Sequence, residues 1–177
     1  MKLVVLDRDG VINHDSSAYI KSPAEWRPLP GSLEAIARLR KGGWRVAVAT
    51  NQAGVGRGLF DMATLSAIHS RMTSAVAAAG GHLDAIFFCP HAPELQCACR
   101  KPRPGMLHEI ARRFAVEPTD MVMVGDSLRD LQAAQAAGAR PVLVLTGNGA
   151  DTLRAGALPE GTAVHANLMA VARELAP

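Results

Sequence analysis

The chain has 177 residues, 49% apolar and 20% charged, which excludes a disordered segment and suits one well-buried domain better than two. Its net charge of +3 comes from scattered lysines and arginines, and with four Phe, two Trp and one Tyr it has few stacking surfaces, so no nucleic-acid partner is expected. No apolar stretch reaches membrane-spanning length, and Met1-Lys2 runs directly into Leu3-Val4-Val5-Leu6-Asp7 without a signal-type core, so a cytoplasmic protein with no membrane partner is expected.

In chain order, the apolar run at residues 3–6 reads as a buried strand. Pro30-Gly31-Ser32 then starts a helix with Leu33, Ile36, Ala37 and Leu39 at helical spacing. A second strand is expected at 44–49, followed by a helix carrying Leu65, Ile68, Met72 and Val76. A third strand at 85–88 precedes a helix with Met106, Leu107, Ile110, Ala111 and Phe114. A fourth at 121–124 leads through Gly125-Asp126-Ser127 into a helix with Leu128, Leu131, Ala134 and Ala137, stopped by Gly138. A fifth strand at 141–145 and a weaker one at 162–165 complete the pattern. This alternation predicts an α/β, Rossmann-like open parallel sheet with helices on both faces, in one domain over residues 1–177.

Such sheets bind ligands beyond the carboxyl ends of their strands. Asp7-Arg8-Asp9-Gly10 follows the first strand, Thr50-Asn51-Gln52 the second, Arg100-Lys101-Pro102 closes the loop after the third, and Gly125-Asp126-Ser127-Leu128-Arg129-Asp130 follows the fourth. Gly54, Gly56 and Gly58 lie after the second strand, not the first, so they do not make a dinucleotide fingerprint.

All three cysteines fall in the loop after the third strand. Cys89, His91, Cys97 and Cys99 form a CxHx5CxC pattern, a three-sulfur, one-nitrogen set suited to a closed structural Zn2+ site. A Cys97–Cys99 disulfide would close a small strained ring, and any pairing leaves a thiol over. With four protein ligands such a zinc has no open position, so the chemistry is expected elsewhere.

Asp7, Asp9, Asp126 and Asp130 would crowd one rim, where their repulsion calls for a cation; oxygen ligands suit Mg2+. A carboxylate such as Asp7 can attack phosphorus, and Asp9 can serve as acid to the leaving oxygen and then as base to water. Thr50, Asn51 and Lys101 can hold the phosphoryl oxygens, with Gln52 beside them as a further substrate contact. Asp130 stands between two readings, the magnesium shell or a helix first turn, and Ser127 reads as a cap. His69, His82, His108 and His165 have no metal-like neighbours and are expected to be surface or helix histidines.

The DxDG start, the Thr50 strand end, Lys101 and the Gly125-Asp126 turn resemble, in order, the four motifs of the haloacid dehalogenase (HAD) superfamily of phosphohydrolases. The resemblance implies Asp7 as nucleophile, Asp9 as acid/base, Thr50 and Lys101 as phosphoryl stabilisers, and Asp7, the Asp9 carbonyl and Asp126 as Mg2+ ligands. Neither gap between motifs has room for a cap domain, so a capless member is implied, its zinc loop stiffening the wall beside Lys101. Within the superfamily the zinc loop resembles both the heptose bisphosphate and the histidinol phosphate phosphatases. Asp9-Gly10-Val11-Ile12-Asn13 and Lys101-Pro102-Arg103-Pro104-Gly105-Met106 are more similar to the heptose branch, which supplies lipopolysaccharide or surface-glycan precursors. That implies a phosphorylated sugar as substrate, the β anomer favoured, and a monomer. Arg100 is implied at the distal phosphate, and Arg57 reads as an exposed loop residue. A phosphate-binding protein without turnover would share the fold, but Asp7, Asp9, Lys101 and Asp126 together argue for catalysis.

Overall fold

Leu3–Leu6 forms the central strand, β1, buried along its whole length. Alternate side chains leave a strand on opposite faces, so Val4 and Leu6 enter one core while Leu3 and Val5 enter another. The structure, a computed structural model, describes residues 1–177.

The further strands are β2 (Arg45–Asn51), β3 (Ala85–Cys89), β4 (Met121–Gly125), β5 (Arg140–Val144) and β6 (Ala163–His165), all parallel in the order β3-β2-β1-β4-β5-β6. The helices are α1 (Ser32–Lys41), the single turn α2 (Ala53–Gly56), α3 (Met62–Ala78), α4 (Gly105–Phe114), α5 (Leu128–Ala137), α6 (Gly149–Ala155) and α7 (Leu168–Leu175). Ile36 and Leu39 of α1, Ile68, Met72 and Val76 of α3, and Leu168 and Val171 of α7 cover one face of the sheet. Met106, Leu107 and Ile110 of α4 and Ala133, Ala134 and Ala137 of α5 cover the other. The order in which strands are added reverses between β1 and β4, and the crevice this opens at their carboxyl ends is where ligands bind in such sheets.

The expected sheet with helices on both faces is present, and neither the 7–31 connection nor the one between β2 and β3 holds an inserted domain. β2 and β3 run further toward the crevice than expected, carrying Asn51 and Cys89 on paired strands. Trp44 lies outside β2, its backbone N–H donating to Leu39 O of α1 at 3.0 Å, and its indole Nε1 donates to Leu175 O at 3.0 Å, tying that end of the sheet to α7. The periodicity reading did not include α6 and α7; α7 carries its signals nonetheless, with Leu168, Val171 and Ala172 buried and Asn167 accepting from Ala170 N at 3.0 Å.

Candidate active site

Asp7 is the first residue beyond β1, and its N–H donates to Val124 O of β4 at 2.9 Å, which sets it between the two strand ends. Lys101 reaches in from the loop after β3. Its Nζ lies 3.0 Å from Asp7 Oδ1 and 2.6 Å from Asp130 Oδ1, and donates to Ala49 O at 2.7 Å. Burial opposes a charge on Lys101, but Asp130 and Asp7 outweigh it and raise its pKa above the ordinary value. Burial first, then the Asp130 carboxylate, pushes the Asp7 carboxyl well above its usual range. Burial likewise pushes Asp126 up to about 6.

Asp7, Asp126 and Asp130 each bring a carboxylate oxygen within 4.8 Å of the others. The hydrogen bonds to Asp7 fall on Oδ1, from Arg8 N at 2.8 Å, and those to Asp126 on Oδ2, from Asn148 N at 2.7 Å and Nδ2 at 3.1 Å. Each therefore keeps one oxygen free of protein donors. Crowded, buried carboxylates with free oxygens fit a hard divalent cation such as Mg2+. Asp130 is different: Oδ1 meets Lys101, and Oδ2 accepts from Ser127 N at 3.1 Å and Ser127 Oγ at 2.8 Å. Both expectations for this pair meet here, since Asp130 adjoins the acidic cluster and also closes a capping box with Ser127.

Asp9 is held entirely by donors. Arg8 Nε and Nη2 reach Oδ1 at 3.1 and 2.9 Å, Asn13 Nδ2 reaches Oδ1 at 2.9 Å, and Gln52 Nε2 reaches Oδ2 at 3.0 Å. Gln52 Nε2 also lies 2.9 Å from Thr50 Oγ1, linking the second strand end to the first. Asn51 makes a reciprocal pair with Lys101, Nδ2 donating to its carbonyl at 3.0 Å and Oδ1 accepting from its N–H at 3.1 Å.

Asp7, Asp9, Asn51, Gln52, Lys101 and Asp126 line a cleft of about 260 Å3 that also takes in Asp15, Tyr19, Arg57, Arg100 and Asn148, whereas Thr50 is buried behind Gln52. Arg100 Nη1 is buried without a hydrogen-bond partner, whereas Arg57 is half exposed and sits 3.6 Å from Glu94.

The cysteine loop closes as its spacing predicts. Sγ of Cys89, Cys97 and Cys99 lie 3.3 to 3.4 Å apart, and His91 Nδ1 is 3.6 Å from Cys89 and 3.4 Å from Cys99. The cysteines are free thiols, and their spacing is close to the roughly 3.8 Å between sulfurs of a tetrahedral Zn2+ site, so the donor set fits zinc. The loop packs against its surroundings where side chains are missing. A Cβ on Gly56 would lie 2.6 Å from Ala92 N, and one on Gly105 2.3 Å from Ala98 O.

Two groups of site residues escape the sequence reading. Asn148 follows β5, beyond the four strand ends that carry the motifs; it donates to Asp126 and, at 3.0 Å, to Asp15 Oδ2 of the loop over the cleft. Arg8 is completely buried, and His69, expected to be a surface or helix histidine, is buried on α3 with Nε2 3.2 Å from Arg8 Nη1. Its position among Leu65, Ile68 and Met72 on the apolar face of α3 was the available signal. His82 and His108 are exposed as expected, and His165 pairs with Glu174 at 3.0 Å.

The fold and the acidic, lysine-containing crevice define a HAD-type hydrolase, and residues 98–171 match the family model "HAD-hyrolase-like". The chain is 61% identical to D-glycero-beta-D-manno-heptose-1,7-bisphosphate 7-phosphatase of Bordetella bronchiseptica, over 99% of this chain and 98% of that one. It is 55% identical to the protein of the same name from Pseudomonas putida, over 99% of each. The crystal structure of the B. bronchiseptica phosphatase complexed with magnesium and phosphate superposes with a TM-score of 0.97, covering 99% of this chain and 98% of that one. The chain belongs to the D-glycero-beta-D-manno-heptose-1,7-bisphosphate 7-phosphatase family.

Proposed function

We propose that this chain removes the C7 phosphate of D-glycero-D-manno-heptose 1,7-bisphosphate, preferring the β anomer, as a monomeric one-domain Mg2+-dependent enzyme. The observation that carries the reading is the contact of buried Lys101 with Asp7 beside Asp126, at full-length similarity to a phosphatase crystallised with magnesium and phosphate.

Asp7 attacks phosphorus through a carboxylate oxygen while the bond from phosphorus to the C7 oxygen breaks, and Asp9 gives that oxygen its proton. Water then attacks the aspartyl-phosphate phosphorus, Asp9 takes the water proton, and Asp7 leaves as carboxylate with inorganic phosphate. The donor-only surroundings of Asp9 suit the carboxylate needed in the water step. Lys101 and Thr50 hold the phosphoryl oxygens, with Asn51 and Gln52 placing the second strand end around them. Asp7, the Asp9 carbonyl and Asp126 are assigned to Mg2+, which when bound neutralises the carboxylates and the phosphoryl charge.

The unpartnered Arg100 Nη1 is assigned to the C1 phosphate, where a guanidinium can bind in a fork. Cys89, His91, Cys97 and Cys99 are assigned to structural Zn2+, and a role in the cytoplasm, supplying heptose for lipopolysaccharide, is supported by thiols gathered for a metal, which suit a reducing compartment.

The deciding experiment is kcat/KM with Mg2+ on the α and β anomers of the bisphosphate and on histidinol phosphate. A preference of about a hundredfold for a bisphosphate, about 2.7 kcal/mol of transition-state discrimination, is expected. Preference for histidinol phosphate would overturn the substrate, and turnover surviving Asp7→Asn would overturn the covalent route.

A further inference from the structure

Arg8 stands between the two carboxylates of the DxD motif, and its side chain is 0% exposed. A buried guanidinium needs acceptors for its protons. Nε and Nη2 take Asp9, and Nη1 takes Nε2 of His69, 61 positions away on α3. Since a guanidinium only donates, Nε2 must accept, which makes His69 a neutral imidazole protonated on Nδ1. Burial and the nearby Arg8 charge agree, lowering the His69 pKa to about 4. The ring is also seated sideways by Phe88 of β3, with centroids 5.8 Å apart at 55°.

The guanidinium is a rigid plane, so an acceptor on Nη1 sets the direction in which Nε and Nη2 present their protons. We propose that His69 is a positioning residue which, through Arg8, fixes the orientation of the Asp9 carboxylate toward the reacting oxygens. This rests on the reading of Asp9 as acid/base. Asn13 and Gln52 also hold Asp9, but they approach from the loop after β1 and the end of β2, so only the Arg8 edge ties Asp9 to the helical layer.

The test uses two phosphate esters that differ in their need for a proton on the leaving oxygen. The C7 ester of the heptose bisphosphate leaves as an alkoxide and needs one; 2,4-dinitrophenyl phosphate leaves as a stable phenolate and does not. With Mg2+ present, His69→Leu should lower kcat/KM on the heptose bisphosphate about tenfold and on the dinitrophenyl ester by no more than about twofold. His69→Gln, which keeps an acceptor, should restore most of the loss. Should His69→Leu not fold, His69→Asn, too short to reach Arg8, should show the same split.

Equal losses on both esters would reduce His69 to a packing residue, and no loss on either would show that Arg8 needs no anchor; either overturns the proposal. Asp9→Asn serves as the reference. If it too fails to separate the esters, the acid/base reading of Asp9 falls; if it separates them and the His69 variants do not, only the positioning role falls.

Discussion

Lys101 Nζ lies 2.6 Å from Asp130 Oδ1, and their side chains are only 2% and 1% exposed. With Asp7 and the Ala49 carbonyl, Asp130 completes three acceptors for the three ammonium protons, of which the one shared with Asp7 faces the cleft and is the one to pass to a phosphoryl oxygen. Asp130 therefore supports the lysine within the acidic cluster. Breaking a buried pair from one side costs about 3–5 kcal/mol, and an amide that keeps a hydrogen bond loses less. Asp130→Asn should lose about 2–3 kcal/mol in urea unfolding and lower kcat/KM at least about tenfold.

Asp126 leads to a prediction about pH and metal. Its carboxyl is raised by burial to about 6 in the folded protein, so its contribution to stability is full below the unfolded carboxylate pKa and is lost as pH rises through about 6. The metal-free protein should accordingly lose roughly 5 °C in Tm between pH 5 and pH 7, and added Mg2+ should remove the loss. Mg2+ affinity should weaken below about pH 6, where protons compete for the same oxygens. Melting curves at both pH values with and without Mg2+ check both signs.

Asn148 grips Asp126 Oδ2 with its backbone and side-chain N–H groups and reaches Asp15 in the loop over the cleft. Groups that orient a metal ligand typically matter by 10–100-fold in affinity. Asn148→Ala retains the backbone contact, so a loss near tenfold in apparent Mg2+ affinity is expected, with a higher KM from the freed loop. Magnesium titrations of activity separate the two effects.

The space around Asp126 Oδ2 is equally closed. A Cβ on Gly147 would stand 2.2 Å from it, at a backbone φ of +56° that favours glycine. Gly147→Ala should displace the carboxylate and lower Mg2+-dependent activity more than about tenfold, measurable by the same titrations.

The zinc loop carries Arg100 and Lys101 directly after Cys99. Replacing Cys97 and Cys99 by Ser should remove zinc from the purified protein by elemental analysis and lower kcat/KM, while magnesium dependence persists because Asp7 and Asp126 follow other strands, β1 and β4. Retention of full activity without zinc would count against the clamp.

Much of the site was legible because its residues sit at the ends of strands whose apolar runs are local signals. Asp7 and Asp126 follow β1 and β4 directly, and the cysteine loop declares its ligand set through spacing alone. Asn148 was missed although it obeys the same rule at the end of β5, where only a turn of small polar residues marks it. Arg8 carried no signal of its own, since an arginine between two aspartates reads as a local countercharge.

The amino-acid sequence by itself determined the parallel α/β sheet, the order of motifs along its rim and the gathering of the three cysteines with His91, since apolar periodicity and residue spacing are properties of neighbours in the chain. Only the tertiary structure showed that Asp130 joins the helix cap to Lys101, that Asn148 joins Asp126 to the loop over the cleft, and that His69 faces Arg8. The reason is physical: acceptors for buried cations come from whichever element packs across the layer, and that partner is set by three-dimensional packing, not by distance along the chain.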